Sequence, residues 1–83
     1  MFKDTLNYIV KQLVDNADKV VINELVGEQH LTYEIKVDPS DLGKVIGKQG
    51  RTINALRVLI RAVSNKHGKK AEVNVIEANV EAQ

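Results

Sequence analysis

The segment GKVIGKQGRTI, residues 43–53, constrains the fold more than any other part of this sequence of 83 residues. Gly47 and Gly50 enclose two polar residues, and apolar residues at helical spacing stand on both sides. Glycine tolerates positive φ and lets another group approach the backbone closely. The pattern therefore predicts a tight turn between two helices, with unpaired N–H groups at the start of the second helix.

Positive charge surrounds this predicted turn, since Lys44, Lys48 and Arg51 flank it. Residues 42–71 contain eight cations and no acid, whereas residues 1–41 contain eight acids and four lysines. A helix start favours an anion, usually phosphate, and a segregated basic segment indicates a polyanionic partner. The alternatives are a plain helix–turn–helix corner, where glycine only caps the first helix, and a solvated basic surface.

Two nucleotide-binding motifs do not fit the same glycines. A P-loop requires two glycines five residues apart, then Lys and Ser or Thr. Gly43 and Gly47 are four apart, and Lys48 is followed by Gln49. The Gly-x-Gly of a dinucleotide fingerprint is absent as well. The sequence therefore argues against a P-loop NTPase and against a dinucleotide-binding protein.

Periodicity predicts six elements in the order α-β-β-α-α-β. They are a helix over 2–17, strands over 19–26 and 31–37 joined by a hairpin, a short helix from an N-cap at Ser40 to residue 46, a helix over 51–66 and a strand over 71–77. In the last helix we expect a core stripe of Ile53, Leu56, Leu59, Ile60 and Val63, ended by Gly68.

These elements predict an α+β fold with the helices packed on one face of a three-stranded mixed sheet. The strands before and after the helix pair should run parallel. Residues 1–83 are expected to form a single domain, with a core over about 2–77 and a frayed tail over 78–83.

The stretch VIGKQGRTI resembles the signature of the KH domain: a hydrophobic pair, then Gly-x-x-Gly, then an isoleucine. The helix-first order resembles the type II, bacterial arrangement. The length resembles the KhpA family of small bacterial RNA-binding proteins, and the KH resemblance covers nearly the whole chain. It implies that Gly47, Lys48, Gln49 and Gly50 clamp the backbone of about four nucleotides of single-stranded RNA.

Other residues extend this predicted RNA site. Asn54, Arg57 and Arg61 share one helix face, although both arginines could instead extend into solvent. At least one of Ile46 and Ile53 should line the base groove, and helical spacing favours Ile53 for the core. The complete predicted set is Lys44, Ile46, Gly47, Lys48, Gln49, Gly50, Arg51, Asn54, Arg57 and Arg61.

Aromatic residues are absent from residues 42–83, so stacking of bases on aromatic rings contributes nothing there. We therefore expect one copy to bind RNA weakly, with strong salt dependence and little sequence preference. The resemblance to the KhpA family implies a role as an RNA chaperone or regulator. Such a domain needs multiplicity. An apolar ridge of Ala55, Val58 and Ala62 predicts a homodimer, with an ordinary helix surface as the alternative.

The family resemblance also implies a larger partner, KhpB, and a role in cell elongation and division, hence in cell shape. Residue patterns predict no enzyme, no metal and no cofactor: cysteine is absent, and His30 and His67 lack evident companions. No apolar run reaches membrane length and no signal peptide is evident, which predicts a cytoplasmic protein. The alternative function is a protein-interaction adaptor that acts mainly through dimerisation with a partner KH protein.

Overall fold

The computed structural model describes residues 1–76 and shows the predicted order of helices and strands. The last predicted strand residue, Glu77, and the predicted tail over 78–83 lie outside the described residues. The elements are α1 (Lys3–Leu13), β1 (Val21–Val26), β2 (His30–Lys36), α2 (Leu42–Ile46), α3 (Arg51–Lys66) and β3 (Lys70–Ile76).

Strand β2 is the centre of the sheet, antiparallel to β1 and parallel to β3. Its alternation decides which face is buried, and Leu31, Tyr33 and Ile35 are completely buried, as predicted. Burial and a 2.6 Å hydrogen bond donated by the Tyr33 hydroxyl to Glu24 raise the pKa of Tyr33 to about 12. The order β1-β2-β3 leaves β3 as an edge strand, and that edge lies beside α3.

The helices supply the other half of one core, and six of their side chains are buried in it. They are Leu6 and Val10 of α1, Val45 of α2, and Ile53, Leu56 and Ile60 of α3. Leu59 was predicted to join this stripe, but it is 49% exposed. At 100° per residue Leu59 lies well to one side of the line through Ile53, Leu56 and Ile60.

Helix α1 ends at Leu13, four residues earlier than the periodicity predicted. The N–H groups of Asp15 and Asn16 donate instead to the carboxylate of Asp41, at 3.2 and 3.0 Å. Asp41 is completely buried, and the Asn16 side-chain amide donates to it as well at 3.0 Å. A carboxylate distant in sequence thus takes two N–H groups that further helical turns would have used.

The cap predicted at Ser40 was wrong in its residue. A 3₁₀ turn, Pro39–Asp41, precedes α2, and the Asp38 carboxylate accepts a hydrogen bond from the Ser40 N–H at 3.1 Å. Asp38 therefore caps this 3₁₀ turn, and Asp41 occupies the N-cap of α2 without a side-chain capping bond. Pro39 stands at the first position of the turn, where no N–H donor is needed.

Candidate nucleic-acid interface

Gly47 stands at the junction of α2 and the turn, with φ 79° and ψ 172°. This combination belongs almost only to glycine. A Cβ at Gly47 would lie 2.8 Å from the backbone nitrogen of Thr52, closer than real Cβ contacts, and would overlap the Thr52 side chain. Gly47 therefore allows the start of α3 to approach the end of α2, which is a structural role that a plain corner also requires.

The second half of the turn is left-handed. Gln49 has φ 56° and ψ 26°, and Gly50 has φ 77° and ψ 13°. The Gly47 carbonyl accepts the Gly50 N–H at 3.1 Å, and the Lys48 carbonyl accepts the Arg51 N–H. Gly50 occupies the N-cap of α3 without a side chain that could cap it. The turn thus bends the chain sharply and keeps the start of α3 free of side-chain capping.

Polar side chains project from this turn into solvent. Lys48, Gln49 and Arg51 are all exposed, as a phosphate contact would need. Lys44 is placed differently: its ammonium lies 2.9 Å from Asp15 and 3.4 Å from Asp41. Hydrogen bonds to Asp15 and, to a smaller extent, Asp41 raise the pKa of Lys44. The Lys44 side chain thus links α2 to the segment after α1.

Beside the turn, α3 and the edge strand β3 enclose a groove of about 390 Å³. Arg57 crosses it, donating through Nε to the Val73 carbonyl at 2.9 Å and through Nη1 to Asn54 Oδ1 at 3.1 Å. The structure thus brings together the three residues predicted on this helix face. The groove is lined by Asn54, Arg57, Arg61, Glu72, Val73 and Asn74.

Sequence reasoning missed the three β3 residues because the strand pattern does not say which strand is the edge nor which helix lies beside it. It also missed Thr52, whose contact with Gly47 needs the turn geometry. The choice between the two isoleucines is clearer: Ile53 is 5% exposed in the core, as predicted, and Ile46 is half-buried against it.

Helix α3 presents a third face, opposite the core. Its exposed apolar residues are Ala55, Val58, Leu59 and Ala62, hereafter the α3 ridge. Val58 is 67% exposed, and Leu59 extends the ridge beyond the predicted three residues. The ridge lies about a third of a turn from the groove-lining face, so the two surfaces are separate.

Comparisons with known proteins match nearly the whole chain. A family model described as KhpA/KhpB, KH domain, matches residues 3–75. The RNA-binding protein KhpA of Aquifex aeolicus is 47% identical over 75 residues, 90% of this chain and 95% of that protein. The RNA-binding protein KhpA of Clostridium perfringens is 45% identical over 74 residues, 89% of this chain and 99% of that protein.

A third relative is more similar over a shorter stretch. The RNA-binding protein KhpA of Caldanaerobacter subterraneus subsp. tengcongensis is 50% identical over 68 residues, 82% of this chain and 91% of that protein. No solved structure gives a significant match. Within residues 1–76, none of the helices has the length and apolar character that a membrane crossing requires.

Proposed function

The chain belongs to the KhpA/KhpB KH-domain family, and from this premise we propose that it binds single-stranded RNA through the turn at residues 47–50. One observation carries the proposal: Lys48 and Gln49 project into solvent from a turn that leads into the start of α3, where no side chain caps the helix. A phosphate placed there would meet N–H groups, the positive end of the helix dipole and the Lys48 ammonium.

The groove beside the turn gives the bases a place next to the bound backbone. Asn54, Arg57 and Arg61 line it from α3, and Ile46 borders the turn as a half-buried apolar residue. Arg51 adds positive charge nearby, whereas the ammonium of Lys44 already pairs with the carboxylates of Asp15 and Asp41. Since aromatic residues are absent there, we expect weak and salt-dependent binding by each copy.

Reversing the charge of the turn should abolish this binding. In the variant Lys48→Asp with Gln49→Asp we expect the affinity for a mixed-sequence RNA of ten nucleotides to fall more than about tenfold, because carboxylates would repel phosphate. Aspartate tolerates the left-handed conformation of residue 49, so the fold should survive. Fluorescence anisotropy at two salt concentrations measures the affinity, and circular dichroism checks the fold.

The chain offers a matched control for this experiment. Lys11 and Gln12 form the same dipeptide on the exposed surface of α1. Lys11→Asp with Gln12→Asp makes the same change in net charge away from the turn, so it should reduce the affinity much less. Equal losses in the two double variants, or no loss in either, would show that the turn does not hold RNA and would favour the adaptor function.

We further propose that the α3 ridge joins two copies of the chain. An exposed valine and an exposed leucine flanked by alanines form a surface on which a second helix can approach closely. A dimer would place two RNA sites in one particle, which raises the apparent affinity of weak sites for a long strand.

A charge on the ridge should separate the copies. For Val58→Glu we expect the dimer to weaken more than about tenfold, because a carboxylate would be buried without a partner. Sedimentation equilibrium measures the dissociation constant. Val26→Glu is the control, since Val26 is 61% exposed on β1, away from the ridge. A wild-type chain that remains monomeric at about 100 μM would contradict the proposed dimer.

Binding to KhpB, RNA chaperone activity, a cytoplasmic location and a role in cell elongation, division and shape belong to this proposal at the level of family resemblance. RNA binding by the proposed site requires no catalytic residue, metal or cofactor, and the expected lack of enzymatic activity stays a prediction.

A further inference from the structure

The exposed stripe of α3 that contains the α3 ridge begins and ends with a cation. At 100° per residue, Arg51 and Lys66 fall on the same side of the helix as Ala55 and Ala62. Both cations are exposed, and α3 contains no acid. None of the salt bridges between described residues involves a side chain of α3. Within residues 1–76, the charges at the two ends of the ridge are therefore not neutralised by their own chain.

The order of residues along this stripe is symmetric. Its centre lies midway between the two branched residues of the ridge, Val58 and Leu59. Ala55 and Ala62 are at equal distances from this centre, and so are the two cations. Two copies of α3 that pack about a two-fold axis through the centre run antiparallel, and each alanine then faces the other alanine of the second copy. The ridge is therefore complementary to itself in the antiparallel orientation.

In this arrangement Arg51 of one copy faces Lys66 of the second copy at both ends of the helix pair. Packed helices lie about 8–10 Å apart, close to the Debye length at physiological salt, so facing cations repel each other. Arg51 is the first residue of α3 and directly follows the turn at residues 47–50. The repulsion is therefore located beside the proposed phosphate site, and a phosphate held there is attracted by both cations.

We propose that Lys66 completes the RNA site of the second copy, so that RNA binding and dimer formation strengthen each other. The phosphates held at the turn of one copy neutralise Arg51 and the facing Lys66, which removes the repulsion that opposes the dimer. Because linked equilibria are reciprocal, the dimer binds RNA more tightly than the monomer by the same factor. The inference rests on the proposed RNA site and on the proposed dimer, and it gives Lys66 a role that neither of them requires.

Lys66 is too distant to serve the turn of its own chain. At 1.5 Å per residue, the rise from Arg51 to Lys66 along α3 is about 22 Å. This distance exceeds two Debye lengths at physiological salt, so the ammonium contributes little to phosphate held at its own turn. Removal of the Lys66 charge should therefore weaken RNA binding in the dimer and not in the monomer.

The experiment measures the effect of Lys66→Gln on RNA affinity in both states by fluorescence anisotropy. The probe is a mixed-sequence RNA of four nucleotides, about the length that such a turn holds. At protein concentrations where the chain is dimeric we expect the affinity to fall about fivefold, at the low end of usual couplings between sites. In the Val58→Glu background, where the ridge contact is lost, Lys66→Gln should change the affinity very little.

Lys70→Gln is the matched control for this charge change. Lys70 is exposed near the same end of α3, but it stands on β3 and outside the ridge. Lys70→Gln should have little effect on the affinity in either background. Equal losses in Lys66→Gln and Lys70→Gln would mean that only the overall charge matters, and would overturn the inference.

The stability of the dimer gives an independent measurement by sedimentation equilibrium. Saturation with the four-nucleotide RNA should tighten the wild-type dimer about fivefold, the same factor as for RNA affinity. A short RNA is required, because a long strand would also join two copies by bridging their sites. Without RNA, raising KCl from about 50 to 300 mM should tighten the dimer as well, since salt screens the repulsion. Both effects should be smaller in Lys66→Gln.

The outcomes distinguish this inference from the proposals on which it rests. A wild type that stays monomeric contradicts the dimer, and a wild-type dimer that binds no RNA contradicts the RNA site; the inference fails with either. If the wild type forms dimers and binds RNA, but Lys66→Gln lowers the affinity equally in dimer and monomer or in neither, only the inference is wrong. A parallel helix pair, in which Lys66 faces Lys66, would also give no loss specific to the dimer.

Discussion

Replacing Gly47 by alanine should destabilise the domain by about 2–4 kcal/mol, more than any other glycine substitution in the turn. Two causes add: the backbone at φ 79° and ψ 172° strains any side chain, and the new Cβ would overlap Thr52. Because one of the overlapping atoms is the Thr52 backbone nitrogen, at 2.8 Å, rotation of a side chain cannot relieve the contact. Urea unfolding followed by circular dichroism measures the loss.

The other glycines of this segment provide graded controls. At Gly50 the conformation is left-handed, but a Cβ would meet only the Asn54 amide nitrogen at 3.6 Å, so alanine should cost about 1 kcal/mol. At Gly43, inside α2, a Cβ meets nothing within 4 Å, and alanine should stabilise by about 0.5–1 kcal/mol. If Gly47→Ala and Gly50→Ala unfold at the same urea concentration, the close approach at Gly47 costs little and the structural role assigned to it is wrong.

Removal of the Asp41 carboxylate should give the largest effect of any polar substitution. Asp41→Ala leaves the N–H groups of Asp15 and Asn16 without their acceptor and Lys44 without one of its two carboxylates. We expect the urea midpoint to fall by about 1–2 M. Asp15→Asn is the matched control, because it removes the exposed partner of the same lysine and should shift the midpoint only slightly.

The pH dependence of stability tests the same carboxylate. Burial raises the pKa of Asp41, but the hydrogen bonds from Asn16, Asp15 and Lys44 outweigh it and hold the pKa below its usual value of 3.8. A carboxyl whose pKa is lower in the folded state stabilises the fold fully above the unfolded pKa and loses that contribution as pH falls through the folded one. The urea midpoint of the wild type should therefore drop below about pH 4.

Asp41→Asn should show a smaller drop over the same range, because the substituted amide does not titrate. Some acid sensitivity should remain in this variant, since hydrogen bonding also lowers the pKa of Glu24. Parallel midpoint–pH curves for the wild type and Asp41→Asn would mean that Asp41 does not titrate differently in the folded state.

The elements that the sequence predicted well are those whose signal is local. Leu31, Tyr33 and Ile35 alternate with polar residues, and that alternation alone predicts a strand with one buried face. The turn at residues 47–50 was predicted for the same reason, since glycine spacing requires no knowledge of distant contacts. Parallel pairing of β2 with β3 followed from the helix pair between them.

The errors have long-range causes. Helix α1 stops early because Asp41, more than twenty residues away, accepts the N–H groups of Asp15 and Asn16. No residue within α1 indicates that contact. The apolar spacing of Ile9 and Leu13 continues to Ala17, beyond the end of the helix. Leu59 is as apolar as a core residue, but it lies on a side of α3 that does not face the sheet. Which side of α3 is buried can be decided only from the contacts of the folded chain. Predicting the groove would have required the knowledge that β3 is an edge strand of the sheet.

Helix α3 has sixteen residues and carries the core stripe, the groove residues and the α3 ridge on three different sides. A genetic screen would therefore recover loss-of-function alleles throughout this helix without revealing why each one fails. Alleles at Ile53 or Leu56 should lower the amount of folded protein, whereas alleles at Arg57 should alter the proposed RNA binding and alleles at Val58 the proposed dimer, both without loss of the protein. Separating these classes requires the protein level, the bound RNA and the particle mass to be measured for the same allele.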